Sequence, residues 1–206
     1  MSKEVRWTEP AVTVVAAGLL WFGTFYFGWG NFWVKISLSS ALLCGAALVL
    51  GRDRMDWEFR LTDIPIALGA AAVLYLIFYL GNAASAVLFD FAPDQVGGIY
   101  ARGEGTERWV ICLLLLFVTS PAEEIYWRGF LQENLGRKLG PPAGWAGATA
   151  LYALVHLSAW NFMLIGAAAV AGAFWGLLYW RVRRVWPLII CHAAWSVTIF
   201  ALLPIR

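Results

Sequence analysis

Long apolar runs with few charges dominate the sequence and constrain its fold more than any other feature. Seven such runs, separated by short polar or glycine-rich breaks, occupy positions 11–29, 32–51, 64–91, 109–130, 143–158, 162–180 and 185–203. A helix of about 20 apolar residues crosses the hydrocarbon core of a bilayer. The runs therefore predict an all-α transmembrane helical bundle of about seven to eight spans, folded as a single integral membrane domain over residues 1–206.

The composition agrees with a membrane protein and excludes several other classes. Hydrophobic residues make up 61% of the chain and charged residues only 14%, whereas soluble domains carry about 25% charged residues. A net charge of +2 does not provide a nucleic-acid-binding surface. The three cysteines, Cys44, Cys112 and Cys191, all lie inside apolar runs, where lone thiols are ordinary apolar side chains.

The distribution of lysine and arginine predicts the orientation in the membrane. With the N-terminus in the cytoplasm, ten of these residues fall in or next to the inner loops and three on the outer side. Cytoplasmic loops are enriched in positive charge. We therefore expect a cytoplasmic N-terminus, an outer C-terminus and an odd number of spans.

An acidic pair interrupts the fourth apolar run, because Glu123 and Glu124 are followed by Arg128 within it. A charge at this depth costs at least about 2.5 kcal/mol, and such residues are typically functional. Glu124 and Arg128 are four residues apart, the spacing of a same-face pair. Glu123 projects about 100° away around the helix, so we expect it to lack this partner and to exchange protons with water.

The only two histidines, His156 and His192, also lie in apolar runs. Tyr152 precedes His156 by one helical turn, and Ser196 follows His192 by one turn. Each histidine alone could be an ordinary core residue. Two histidines and an unpaired glutamate in three separate spans are more simply explained by one shared site.

Three chemistries fit these residues. A zinc site could use histidine and carboxylate ligands, although no His-Glu-x-x-His motif is present. A nucleophile could be Ser120, Ser196 or Cys191, although Ser120 lacks the context of a nucleophile elbow. The third chemistry is direct activation of water by a carboxylate and an imidazole, with a second imidazole and a hydroxyl donating to the oxyanion.

Three short motifs carry a resemblance to a known family. Residues 121–130 contain Glu123, Glu124 and Arg128 and resemble the Glu-Glu-x-x-x-Arg motif of the CAAX protease and bacteriocin-processing (CPBP) family of intramembrane endopeptidases. Tyr152 and His156 are similar to that family's second motif, usually Phe-x-x-x-His. His192 and Ser196 are similar to its third, usually His-x-x-x-Asn or Asp. The motifs keep the family's order and spacing within 109–200, which we take as the protease core.

The resemblance implies a glutamic-type intramembrane peptidase with a conical cavity leading to its active site. By analogy, Glu123 and His156 activate water, while His192 forms the oxyanion hole with position 196. Glu124 and Arg128 then hold the geometry, and Tyr152 is a supporting residue. No cofactor is implied, although older descriptions of the family as metalloproteases keep a zinc-dependent version open.

The resemblance further implies a membrane-associated protein or peptide as substrate, the lipid bilayer as partner, and no nucleic acid. Eukaryotic members process prenylated proteins, and small bacterial relatives act on other peptides. We expect a multi-pass protein of a bacterial or archaeal cell membrane. The alternative function is a non-catalytic membrane protein, such as a proton-coupled transporter or an immunity factor.

Overall fold

The computed structural model describes residues 7–205, which form eight helices and no strand. The bounds of the helices are α1 Thr8–Tyr26, α2 Phe32–Gly51, α3 Asp63–Leu88, α4 Ala92–Ala101, α5 Arg108–Leu139, α6 Pro141–Val155, α7 Phe162–Val182 and α8 Trp186–Leu202. The predicted all-α bundle is confirmed. One 3₁₀ turn at Arg52–Arg54 extends α2, and another at His156–Ala159 follows α6.

Five helices, α1, α2, α3, α5 and α7, are long and apolar enough to cross a membrane. The predicted runs at 143–158 and 185–203 correspond to the shorter helices α6, with 15 residues, and α8. Large apolar side chains project outward from the long helices; Val49 and Val87, for example, are 85% and 86% exposed. Extensive exposed apolar surface is typical of a face that contacts lipid rather than water.

The helix that carries the fourth predicted span continues past residue 130, because α5 extends to Leu139 over 32 residues. Polar residues that follow position 130 are buried and paired, so they do not end the helix. The Gln132 amide donates to the Gly176 carbonyl at 2.8 Å, and the Asn134 amide donates to the Phe130 carbonyl at 2.8 Å. Buried polar groups are tolerated when they are hydrogen-bonded.

Two stretches of α5, Leu115–Thr119 and Ile125–Gln132, are wound as π-helix and flank the α-helical Ser120–Glu124. Such π segments are uncommon and are often found at functional sites. Here they bracket the two glutamates on the helix that lies deepest in the bundle.

Glycines bring α5, α6 and α7 into close contact. A Cβ added to Gly144 would lie 2.5 Å from the backbone of Gly136, and one added to Gly176 would lie 2.8 Å from the Trp145 ring. These distances leave no room for a side chain. Gly144 and Gly176 therefore serve helix packing, which fixes α6 and α7 against the glutamate-bearing helix.

Candidate active site

A cavity of about 440 Å³ lies between the helices and brings the sequence-predicted residues together. Most of its lining is apolar and aromatic. The polar side chains that line it and belong to the three motifs are Glu123, Tyr152, His156, His192 and Ser196. Glu124 and Arg128 lie behind this lining, at 0% and 2% exposure. The structure thus separates residues that face the cavity from residues that support them.

Glu123 presents its carboxylate to the cavity at the end of the α-helical segment of α5. Its Oε2 accepts a hydrogen bond of 2.8 Å from the Tyr152 hydroxyl, and its Oε1 accepts a longer one of 3.5 Å from Ser40. Neither of these partners is charged. The carboxylate is therefore oriented by two hydroxyl groups without being neutralised by a cation.

Glu124 is the partner of Arg128, as their spacing predicts. The Arg128 Nη1 donates to Glu124 Oε1 at 2.9 Å, and the guanidinium lies over the rings of Tyr152 and Trp175, at 4.7 and 5.2 Å from their centroids. Arg128 also donates to the Gly172 carbonyl at 3.4 Å. These contacts connect α5 to α6 and α7 through one buried cation.

His192 is held by the same carboxylate. Its Nδ1 lies 2.7 Å from Glu124 Oε1, and its ring stacks on Trp175 with centroids 3.8 Å apart. An ionised carboxylate only accepts hydrogen bonds, so Nδ1 carries the proton when Glu124 is ionised. This leaves Nε2 as the ring nitrogen that can interact with a bound molecule.

His156 has a tautomer that its two neighbours determine. Its Nδ1 lies 2.7 Å from the Tyr152 carbonyl, which can only accept, and its Nε2 receives the indole N–H of Trp21 at 3.3 Å. His156 is therefore protonated at Nδ1 and carries its lone pair on Nε2. The ring also lies 5.7 Å from Phe25 and 5.0 Å from Tyr152, measured between centroids.

Ser196 lines the cavity on α8, one turn beyond His192, and is only 2% exposed. Its side chain makes no hydrogen bond with any other residue in the stretch from 7 to 205. It is thus a short hydroxyl facing the cavity, without a protein partner that would fix its direction.

Sequence reasoning missed three residues that hold the site: Trp21, Ser40 and Trp175. Trp21 contacts His156 across 135 positions of the chain, and Ser40 contacts Glu123 across 83. Nothing near these residues in the sequence marks them, since tryptophan and serine recur throughout the apolar runs. The three serines at positions 37, 39 and 40 of α2 were the only available signal.

The other candidate nucleophiles do not reach the cavity. Ser120 is fully buried with its hydroxyl unpartnered among the described residues, and Cys191 is also fully buried; neither lines the cavity. A buried thiol on α8 and a buried hydroxyl on α5 that do not line the cavity have no access to a molecule bound there.

The donor set also fits a metal ion poorly. Within residues 7–205, no three His, Cys, Asp or Glu side chains are grouped so that they could hold one. Nδ1 of His156 is engaged by Tyr152, and Nδ1 of His192 is engaged by Glu124. A zinc ion could therefore reach only the Nε2 of each ring, and at His156 it would first have to displace the Trp21 indole at 3.3 Å.

Comparison with known proteins identifies the segment that carries this site. Residues 105–198 match the family described as type II CAAX prenyl endopeptidase Rce1-like, and all three motifs lie within the match. The curated proteins and the solved structures contain no match to the chain. The matched family is a family of proteases. The match thus agrees with the family resemblance that the motifs carry, over residues 105–198 of the chain.

Proposed function

We propose that this protein is an intramembrane endopeptidase that hydrolyses a peptide bond with water activated by Glu123 and His156. The observation that carries the proposal is the convergence of Glu123, His156 and His192, from three separate helices, on one cavity. An unpaired carboxylate and two imidazoles in apolar helices have no evident packing role. Their common cavity is large enough to admit a peptide segment.

Glu123 serves as the general base in this proposal. Its carboxylate is held by Tyr152 and Ser40 but is not paired with a cation, so it can accept a proton from a water bound in the cavity. The same proton can then pass to the amine that leaves when the peptide bond breaks. The proton that water gives up is thereby returned to the leaving group, and Glu123 is regenerated.

His156 orients the water. Because its Nε2 carries a lone pair, it can accept one hydrogen of a water whose other hydrogen is directed at Glu123. Trp21 occupies this nitrogen at 3.3 Å, which is a long N–H···N contact. Catalytic hydrogen bonds are often loose before substrate binds, and a water can take the place of the indole on Nε2.

His192 stabilises the oxyanion. With Nδ1–H directed at Glu124, its Nε2 can donate a hydrogen bond only when the ring is an imidazolium. The Glu124 carboxylate accepts from Nδ1 at 2.7 Å and fixes the direction of the ring, as the buried acid does in other catalytic triads. Glu124 therefore has two partners, Arg128 and His192, and acts on the reaction through the second.

The test compares variants of the cavity with a matched control. Membranes containing the active protein and the Glu123→Gln variant are compared for peptides that accumulate uncleaved, and the purified protein is then assayed on the peptide so identified. We expect Glu123→Gln, His156→Ala and His192→Ala to lose at least about 10²-fold in kcat, the scale of a lost base or oxyanion donor. Glu107→Gln, at an exposed position outside the cavity, should retain full activity.

Two results would contradict the proposal. Retained cleavage by a folded Glu123→Gln enzyme would remove Glu123 as the base. The absence of any peptide that depends on Glu123 would remove the peptidase function itself and favour a non-catalytic role.

A further inference from the structure

The cavity lies at one end of the bundle. Each helix that lines it contributes the half that lies at that end of the bundle. It is lined by the last turn of α1, the first turns of α2, the C-terminal half of α3, the N-terminal half of α7 and the C-terminal half of α8. The short helix α4 also contributes. Because neighbouring spans run in opposite directions, these segments all lie on one side of the membrane.

The cavity opens at this end of the bundle. Phe89 and Phe162 both line it, yet they are 40% and 56% exposed, so the lining continues to the surface there. Deeper in the bundle, past Glu123, the α5 residues Tyr126, Trp127 and Phe130 are at most 1% exposed. Their packed rings close the way to the opposite end.

The opposite end carries a layer of ion pairs. Arg54 pairs with Glu9 at 2.9 Å, Arg184 pairs with Asp63, and Glu133 pairs with Arg137 and Arg183 at 2.8 and 2.9 Å. Eight basic residues are found at this end within residues 7–205: Arg52, Arg54, Arg60, Arg137, Lys138, Arg181, Arg183 and Arg184. The cavity end has three: Lys35, Arg102 and Arg108.

The charge difference assigns the two ends to the two sides of the membrane. Lysine and arginine near the ends of spans accumulate on the cytoplasmic side, whereas aspartate and glutamate contribute little to orientation. The ion-pair layer therefore faces the cytoplasm. The cavity mouth, at the other end, faces the outside.

We infer that the active-site cavity is entered from the non-cytoplasmic side, so the substrate is a peptide segment presented at the outer face of the membrane. The presence of a substrate rests on the proposed function, whereas the direction in which the cavity opens does not. The substrate should carry an apolar segment, because aromatic rings line the entrance of the cavity. These rings include Phe25, Phe32, Phe89 and Phe162. A translocated or membrane-anchored protein with an apolar segment near its scissile bond fits this entrance, whereas a chain terminus exposed in the cytoplasm does not.

Among the described residues that line the cavity, Arg102 is the one lysine or arginine. Arg102 lies with its guanidinium 5.0 and 5.1 Å from the ring centroids of Phe25 and Phe32, and it forms no ion pair with another residue between 7 and 205. Cation–π attraction holds the guanidinium over these rings, so the cavity end keeps one positive charge beside its apolar lining.

Cysteine labelling in intact cells tests the direction without requiring any activity. The native cysteines are replaced by alanine, and single cysteines are introduced by Glu104→Cys at the cavity end and Asp53→Cys at the ion-pair end. Both positions are exposed, and each change removes one acid. Gly166→Cys reports on the cavity itself, since Gly166 lines it and a Cβ there meets no atom within 4 Å.

A membrane-impermeant maleimide should label the Glu104→Cys and Gly166→Cys proteins before lysis, and the Asp53→Cys protein only after lysis. Labelling in the opposite order would overturn the inference, as would a Gly166→Cys protein that stays unlabelled while the Glu104→Cys protein reacts. The result is independent of catalysis. An outward-facing cavity in a protein that cleaves no Glu123-dependent peptide would leave the inference standing and refute the proposed function alone.

Discussion

Replacement of Arg128 by methionine should destabilise the protein far more than loss of the proposed base. Methionine preserves the length of the side chain but removes its charge and its donors. Glu124 would then remain fully buried, and the His192 Nδ1 at 2.7 Å would be its remaining polar contact among residues 7–205. A buried carboxylate that loses its cation is costly because the low-dielectric surroundings cannot replace the lost interaction.

The expected magnitude is about 3–5 kcal/mol, the usual cost of removing one partner from a buried pair. The upper part of this range is favoured because Arg128 also donates to the Gly172 carbonyl and lies over two aromatic rings. In contrast, Glu123→Gln preserves an oxygen that accepts from Tyr152, and we expect it to change stability by less than about 1 kcal/mol.

The measurement is an unfolding titration in mixed micelles, followed by intrinsic fluorescence, which the 13 tryptophans of the chain supply. The double variant Arg128→Met with Glu124→Gln completes a double-mutant cycle. Its free energy of unfolding should exceed that of Arg128→Met alone by at least about 1 kcal/mol, because no buried charge is left without a partner. The assignment of a structural role to Glu124 and a reactive role to Glu123 is refuted by either of two results. One is a loss of less than about 1 kcal/mol in the free energy of unfolding for Arg128→Met, and the other is an equal loss for Glu123→Gln and Arg128→Met.

Four further results are expected. Tyr152→Phe should lower kcat only a few-fold, because Ser40 still donates to Glu123 and phenylalanine is the usual residue of the family motif; a loss above about 10²-fold, the scale of an essential donor, would make the hydroxyl essential. Ser196→Ala should also cost only a few-fold in single-turnover rate, since His192 supplies a donor alone, and Ser196→Asn should equal or exceed the wild-type rate. Gly144→Ala should destabilise by about 1–3 kcal/mol through overpacking, because its Cβ would meet the facing backbone at 2.5 Å, whereas Gly147→Ala, which meets only a flexible side chain at 3.4 Å, should be tolerated. Cleavage by the purified protein should persist in a strong chelator; loss of activity that zinc restores, with stoichiometric zinc by elemental analysis, would reassign the histidines as ligands.

The parts of this structure that the sequence predicted are those set by local periodicity. Apolar runs of sufficient length become helices because the bilayer leaves no other way to satisfy the backbone. The Glu124–Arg128 pair followed from a spacing of four residues. The different directions of Glu123 and Glu124 followed from the rotation of about 100° between successive helical residues.

The parts that escaped prediction depend on contacts between distant segments. The continuation of α5 to Leu139 requires acceptors on α7, such as the Gly176 carbonyl that receives the Gln132 amide. The tautomer of His156 requires Trp21 from α1. Neither partner can be identified from spacing, because no periodic pattern connects residues that meet only when helices pack.

The adjacent glutamates show how a membrane protein can keep one reactive carboxylate among apolar helices. One arginine on the same helix can pair with only one of two neighbouring acids, since the other projects to a different side. Glu124 takes the cation and thereby anchors His192, while Glu123 is left with two hydroxyl donors and an open cavity. Glu123 forms no ion pair within residues 7–205, so its carboxylate stays available to accept a proton, and the Glu124 network supplies the stability that Glu123 does not.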